Sequence, residues 1–304
     1  MSATIGEVTV SVIVPTTACA ARRVLIRRAI DSILLQGGVR AIPIVLVNGP
    51  ARDPDMTREL MADPRLRVYV REPAGLAGAL QAGRRLVDTP WFAELDDDDE
   101  LLPGALAMRI EALRTCDDRD CVVTNGFRRA DGMDMLNIPD MRVVERDPVR
   151  TFWDRNWLLP GSYLCRTDRV GADLFDGMPD ARECSYVALR LATSYRIRFL
   201  QAPTVIWNAD TPGSLSKSRE MILSGARAHE QLLTLDLPPH ARRMVVERIT
   251  WDYHATSDLY FREGDRRKAW RWHLRSLFRR GGHRFLPFSG TLLRAALGSR
   301  SIAP

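Results

Sequence analysis

The stretch Trp91–Gly104, WFAELDDDDELLPG, puts four consecutive aspartates, Asp96 to Asp99, at the end of an apolar run and just before a predicted helix. Carboxylates at that spacing repel one another, so they are either well solvated or gathered around a cation. Flanking Trp91, Phe92 and Leu95 favour burial, and with it the second arrangement. The stretch is therefore a candidate site for a divalent metal and a diphosphate. The competing reading is an acidic turn that caps the next helix and stays in water.

Outward from this stretch, apolar β-branched runs alternate with helical periodicity. Val8–Val14 (VTVSVIV) predicts a buried strand that runs into Pro15, and Ile42–Val47 (IPIVLV) a second strand closed by Asn48-Gly49-Pro50. Between them, Leu25, Ile26, Ala29, Ile30, Ile33 and Leu34 recur at helical spacing until Gly37-Gly38. Further strands are predicted at Leu66–Val70, Trp91–Leu95, Cys121–Thr124 and Phe199–Trp207, with helices at Arg58–Met61, Leu76–Val87, Pro103–Arg114 and Glu183–Leu191. This alternation predicts an α/β fold with a Rossmann-like, mostly parallel sheet flanked by helices. Ligands bind such sheets beyond the carboxyl ends of the strands, where Pro15-Thr16-Thr17, Asn48-Gly49 and Asp96–Asp99 all fall. Residues from Arg128 to Pro160 show no clear period and read either as exposed loop or as an insertion on the acceptor side.

Composition narrows the function classes. The chain has 304 residues, enough for one large or two ordinary domains. Five cysteines (Cys19, Cys116, Cys121, Cys165, Cys184) make no CxxC pair and cannot all be bridged, which fits a reducing compartment. All five histidines follow residue 228 without metal-site spacing, so a histidine-based zinc site is not expected. GxGxxG, Walker A and GxSxG patterns are absent, which argues against a dinucleotide-dependent oxidoreductase, a P-loop enzyme and a nucleophile-elbow serine hydrolase. No apolar run approaches a membrane span and no signal core opens the chain, so a cytoplasmic location is expected.

Taken in order, VSVIVPT (Val10–Thr16), Ser32 with Gln36, the strand ending at Asn48-Gly49, GLAGALQAG (Gly75–Gly83) and LDDDDELLPGAL (Leu95–Leu106) resemble the family 2 glycosyltransferases. The resemblance covers roughly residues 8–216 and implies a GT-A fold, a hexosyltransferase-like inverting activity, a nucleotide-sugar donor and Mn²⁺ or Mg²⁺. It implies that Asp96 and Asp98 form the DxD motif, Asp96 facing the donor's ribose and the metal and Asp98 ligating the metal. Asp97 joins Pro15, Thr16, Thr17, Asn48 and Gln81 as candidate donor-binding residues, although Asp97 and Asp99 also read as supporting or solvated groups.

The chain departs from the family pattern in three places. The Asn48 segment is one residue short, and Leu80 and Gln81 stand where the family shows Arg and Asn. Cys184 occupies the expected position of the catalytic aspartate, leaving Glu183 as the candidate base and Asp180 as second choice. A thiol is a poor general base, so a non-catalytic relative that binds nucleotide without turnover is the alternative. Trp207 reads as core before it reads as a ligand contact, while Ser216 and Lys217, in the segment after Gly213, are candidates for phosphate contact.

Residues 1–216 are expected to form the glycosyltransferase domain and 217–304 a helical, basic extension. Between Arg262 and Arg300 stand eleven Arg or Lys against Glu263 and Asp265, an excess of nine, although the whole chain carries only +6. A basic face confined to the tail does not fit a nucleic-acid-binding protein. Within Arg266–Arg280, Trp270, Leu274, Leu277 and Phe278 share one helical face, which either packs back onto the catalytic domain or meets an anionic bilayer peripherally. Pro287 is expected to break this pattern before Thr291–Leu297 resumes it. The expected acceptor is a hydroxyl of a glycan or of a lipid-linked molecule.

Overall fold

A computed structural model describes residues 8–211 and 218–298. Two compact units divide the chain, Met1–Pro212 and Gly213–Pro304. The expected division at 216/217, together with Ser216 and Lys217, lies outside the described residues.

The first unit is built on β1 (Thr9–Thr16), whose side chains are buried from Val10 onward. It pairs in parallel with β2 (Arg40–Asn48) on one side and β4 (Trp91–Glu94) on the other, and β3 (Arg67–Arg71) continues the parallel set beyond β2. A strand buried on both faces has no polar alternation to keep, and VTVSVIV and IPIVLV accordingly read as nearly unbroken apolar runs. Because the four strands are parallel, the ends of β1, β2 and β4 lie on one rim.

Beyond β4 the sheet becomes mixed. Its order is β3-β2-β1-β4-β8-β6-β9-β5, with β5 at Glu100–Leu101, β6 at Cys121–Ala130, β8 at Tyr163–Arg166 and β9 at Ile197–Asn208. Strand β8 runs antiparallel to both β4 and β6, and β5 antiparallel to β9. Only β6 and β9 restore a parallel pair there.

Helices cover both faces. On one face, α1 (Arg23–Leu34) buries Ile26, Ile30 and Ile33 against Val10, Val12, Ala93 and Leu95, joined by Leu106 and Ile110 of α4 (Ala105–Arg114). Each buried isoleucine of this kind contributes roughly 1.5–3 kcal/mol. On the other face, α3 (Leu76–Arg85) approaches β1 and β2 so closely that a Cβ at Gly83 would collide with Ile13. The short helix α2 (Pro54–Ala62) starts on an Asp53 cap, whose Oδ1 accepts from the Asp55 and Met56 amides at 2.8 and 3.1 Å.

Residues 128–160 are ordered rather than loop. Strand β6 continues to Ala130 and turns back through Asp131-Gly132, both at positive φ, into β7 (Met133–Leu136). Asp-Gly between two strands is a hairpin signal. Two short helices follow, α5 (Met141–Arg146) and α6 (Pro148–Asp154), each capped by an aspartate, Asp140 and Asp147. Trp157 is fully buried beside Phe152 and donates its indole N–H to the Pro148 carbonyl at 2.7 Å. Helix α7 (Glu183–Ser194) then leads into β9.

The second unit is helical: α8 (Arg219–Leu232), α9 (Pro239–Arg262), α10 (Arg266–Leu277) and α11 (Leu286–Gly298). Leu232, Val245 and Ile249 are buried in it, as is a hydrogen-bonded pair in which His229 Nδ1 lies 2.5 Å from Asp252 Oδ2. Pro287 sits in the first turn of α11, where no N–H is needed, and so opens a helix instead of breaking one.

Candidate active site

The acidic motif sits directly beyond β4. Its loop is fixed through its backbone: the Asp98 carbonyl accepts from Arg28 Nη2 and from Asn208 Nδ2, both at 2.7 Å, and the Asp99 amide closes a turn onto the Asp96 carbonyl at 3.1 Å. Ser32 and Gln36 act on the segment that follows. Ser32 Oγ accepts from the Leu101 amide, while Gln36 donates to the Leu102 carbonyl and accepts from the Leu106 amide. Both residues hold the exit of the acidic loop against α1.

The four aspartates divide by environment. Asp97 is buried and fully engaged: Thr16 Oγ1 donates to its Oδ2 at 2.5 Å, and Arg22 pairs with both of its oxygens. Asp96, Asp98 and Asp99 instead turn toward one another, with one carboxylate oxygen of each lying within 4.8 Å of the others. Burial, followed by the charges of neighbouring carboxylates, raises Asp96 and Asp99 well above the usual range. Burial also raises Asp98, where Arg22 at 3.4 Å and the Thr211 hydroxyl act in the opposite direction.

Asp99 is fully buried, and its Oδ1 accepts from the Asn208 amide at 2.8 Å. Its Oδ2 has no hydrogen-bond partner among the described residues. A buried carboxylate oxygen without a donor is costly, and three converging carboxylates form an oxygen donor set of the kind that hard divalent cations take. The solvated reading of Asp97 and Asp99 is therefore overturned, because both side chains are buried and bonded.

Helix α7 brings the second group. Glu183 is its first residue, and burial, with some help from Asp180, lifts its carboxyl to about 7. Cys184 follows, its thiol raised by burial and by the charges of Asp96, Glu94, Glu183 and Asp99, which places the start of α7 beside the acidic loop. Glu94, at the end of β4, is buried and pushed up to about 7 by burial; Glu183 adds to that shift and the Tyr163 hydroxyl opposes it.

The profile of glycosyl transferase family 2 matches residues 11–156, the span that carries β1, the acidic loop and the helices between them. Over this segment, just under half of the chain, the sequence is similar to that family. An uncharacterized glycosyltransferase of Rickettsia typhi is 30% identical over 105 residues, which are 34% of this chain and 33% of that protein. A second, from Rickettsia prowazekii, matches at the same identity and coverage. The chain spans about a third of the length of these curated relatives. Among solved structures, S. aureus TarS 1–349 in complex with UDP-GlcNAc aligns with a TM-score of 0.55 at 13% identity, over 82% of this chain and 73% of that one. The complex of the same protein with UDP gives 0.53 at 12% identity, over 82% and 79%. This likeness establishes the GT-A fold.

The remaining candidates of the first unit separate by place. Pro15 and Thr16 end β1, both buried, and Thr17 just beyond is exposed; Asn48 ends β2 with its Oδ1 3.3 Å from Arg71 Nη1. Gln81 donates to Asp176 on the surface, and Leu80 is core. Trp207 packs partly on the core under Arg128, whose guanidinium lies 5.6 Å from the ring centre. Arg22, Arg28, Asn208 and Glu94 were not singled out by the sequence. With 42 arginines in the chain, no single one stands out.

Proposed function

We propose that the chain is an inverting glycosyltransferase that moves a sugar from a nucleotide-sugar donor to a hydroxyl of a glycan or lipid-linked acceptor, with Mn²⁺ or Mg²⁺ as its cofactor. One observation carries the reading: the carboxylates of Asp96, Asp98 and Asp99 converge, one of them with an orphaned buried oxygen, at the rim where the parallel strands end. The match to the family 2 profile supports the sugar transfer, and the TarS complexes with UDP-GlcNAc and UDP support a nucleotide-sugar partner.

On this reading Asp96 and Asp98 hold the metal, and Asp99 joins them. When bound, the cation neutralises the charge that grows on the departing diphosphate. Pro15, Thr16, Thr17 and Asn48 border the donor at the ends of β1 and β2. Asp97 serves the donor only indirectly, since Arg22 and Thr16 occupy its oxygens and it fixes the loop instead. Glu183 accepts the proton of the acceptor hydroxyl as the new bond to the anomeric carbon forms and the bond to the diphosphate oxygen breaks. A carboxylate near pH 7 in affinity suits that task better than a thiol that burial holds protonated.

Donor hydrolysis tests the reading. Incubation with a panel of nucleotide sugars and Mn²⁺ is expected to release a nucleoside diphosphate from at least one, with release stopped by EDTA. A chain that binds nucleoside diphosphate but releases none from any donor, with or without acceptor, would instead be the non-catalytic relative suggested by Cys184.

A further inference from the structure

The helical unit concentrates positive charge and exposed apolar surface on the same two helices. Ala269, His273 and Ser276 form the buried face of α10, and Arg267, Arg271, Leu274 and Phe278 occupy its opposite side at i, i+4, i+7 and i+11. The larger side chains of the apolar stripe thus point away from the helix's packing partner. Phe278 is 86% exposed and Leu274 44%.

Helix α11 repeats the arrangement. Phe285, just ahead of it, and Leu292 are buried, and an aromatic cluster anchors its first turns: Phe285 stacks on His254 at 4.0 Å, and Phe288 meets His254, Phe261 and His273 edge-on. His273 Nε2 and Ser289 Oγ lie 2.7 Å apart. With that face fixed inward, Leu286, Leu293 and Leu297 form an outward stripe, 52–66% exposed, at i, i+7 and i+11. Exposed Arg294 borders it.

We propose that the outward faces of α10 and α11 bind the surface of an anionic lipid bilayer. Leucine and phenylalanine beside arginine is the composition of a helix lying in the headgroup region, its apolar side chains in the acyl boundary and its cations among lipid phosphates. Among the described residues no helix is long and apolar enough to cross a membrane, so the contact is interfacial. The sign of the charge selects the partner. Arg267, Arg271 and Arg294, exposed on or beside the two apolar stripes, repel a second copy of the same face. Nucleic acid offers phosphates but no apolar phase for Phe278, Leu293 and Leu297. The proposal stands apart from the sugar-transfer reading, so either can fail alone.

Co-sedimentation of the full chain with vesicles tests it. Binding is expected to vesicles of phosphatidylcholine mixed with phosphatidylglycerol, and to weaken in high salt, whereas phosphatidylcholine alone binds little. Arg267→Glu with Arg271→Glu is expected to lower partitioning by about tenfold or more. Leu274→Ser with Phe278→Ser is expected to lower it by about tenfold while leaving the circular dichroism spectrum unchanged. These four side chains are exposed, so both variants fold, and their nucleotide binding is expected to equal that of the wild type. Absence of binding to anionic vesicles, equal binding to neutral ones, or indifference to both double substitutions would overturn the proposal. So would a stable dimer in light scattering that the serine variant dissolves.

Discussion

The acidic loop and the outer face of α10 each gather charges of one sign, and they solve the problem in opposite ways. On α10, Arg267 and Arg271 stand a helical turn apart in water, where repulsion is well under 1 kcal/mol and salt screens it further. In the loop, oxygens of Asp96, Asp98 and Asp99 crowd within 4.8 Å, Asp99 buried and the other two half-buried. Two full charges about 4 Å apart repel by about 4 kcal/mol at the effective dielectric of a protein boundary. A surface needs only water to tolerate like charges. An interior needs dedicated partners, here Arg22, Arg28 and Asn208, and on the present reading a cation for the charge that they leave uncancelled.

The strongest way to break this contrast is to remove Glu183, a half-buried carboxylate that on this reading acts on a proton. Glu183→Gln is expected to bind donor as well as the wild type and to lose transfer by about 10²–10⁴-fold. In the wild type, kcat is expected to rise with pH through about 7, because the carboxyl must ionise before it can accept a proton. Stability moves the other way. A carboxyl raised from its ordinary 4.5 to about 7 favours the fold while protonated, so its contribution is complete below about 4.5 and lost as pH passes 7. Retained transfer in Glu183→Gln, with the same pH profile, would move the base elsewhere, Glu94 being the nearest described alternative in charge and burial.

Asp98→Asn comes next. It is expected to cost about 10²–10³-fold in turnover, the scale for removing one electrostatic support of a developing charge. It is not expected to cost stability, because one member of a repelling cluster becomes neutral. Thermal shift checks both halves. Saturating Mn²⁺, at about a hundred times its dissociation constant, is expected to stabilise the wild type by about 2.7 kcal/mol and the variant far less. Equal shifts in both proteins would dissociate Asp98 from the metal.

Arg22→Leu tests the partners rather than the cluster. It strands Asp97, which is buried and receives its charge-assisted bonds from Arg22, and the expected loss is about 2–3 kcal/mol in urea unfolding. Arg22→Leu with Asp97→Leu is expected to recover part of that loss, since two apolar groups replace a pair that is costly to desolvate. A single substitution that leaves stability unchanged would make the pair a surface decoration.

How far the sequence carried these conclusions depended on periodicity and order. Strands β1, β2 and β4 were legible because they are largely buried on both faces, the helices between the strands because they are amphipathic, and all of them because their loops end in recognisable turns. Asp96 and Asp98 were legible because four aspartates after an apolar run have few physical explanations. Strands β7 and β8 were not. Strand β7 is exposed along its length and carries no alternation, and the Asp131-Gly132 turn signal that betrays its hairpin stood inside a region otherwise without a period. Strand β8 is four residues long. The supporting cast of the site was illegible for another reason: Arg22, Arg28 and Asn208 reach the loop from 70 to 110 positions away, and only the assembled sheet brings them there.

The smallest effect sharpens the contrast from the basic side. Arg271 is exposed and has no carboxylate partner among the described residues. Arg271→Ala is expected to change unfolding free energy by no more than about 0.5 kcal/mol in either direction. If repulsion along α10 matters at all, the change is a slight stabilisation that vanishes in high salt, because screening removes the term that the substitution removed. A salt-independent loss would instead mean that the aliphatic stem of Arg271 covers apolar surface on α10. The face would then owe its exposure to packing rather than to water, and the contrast with the acidic loop would narrow to one of burial alone.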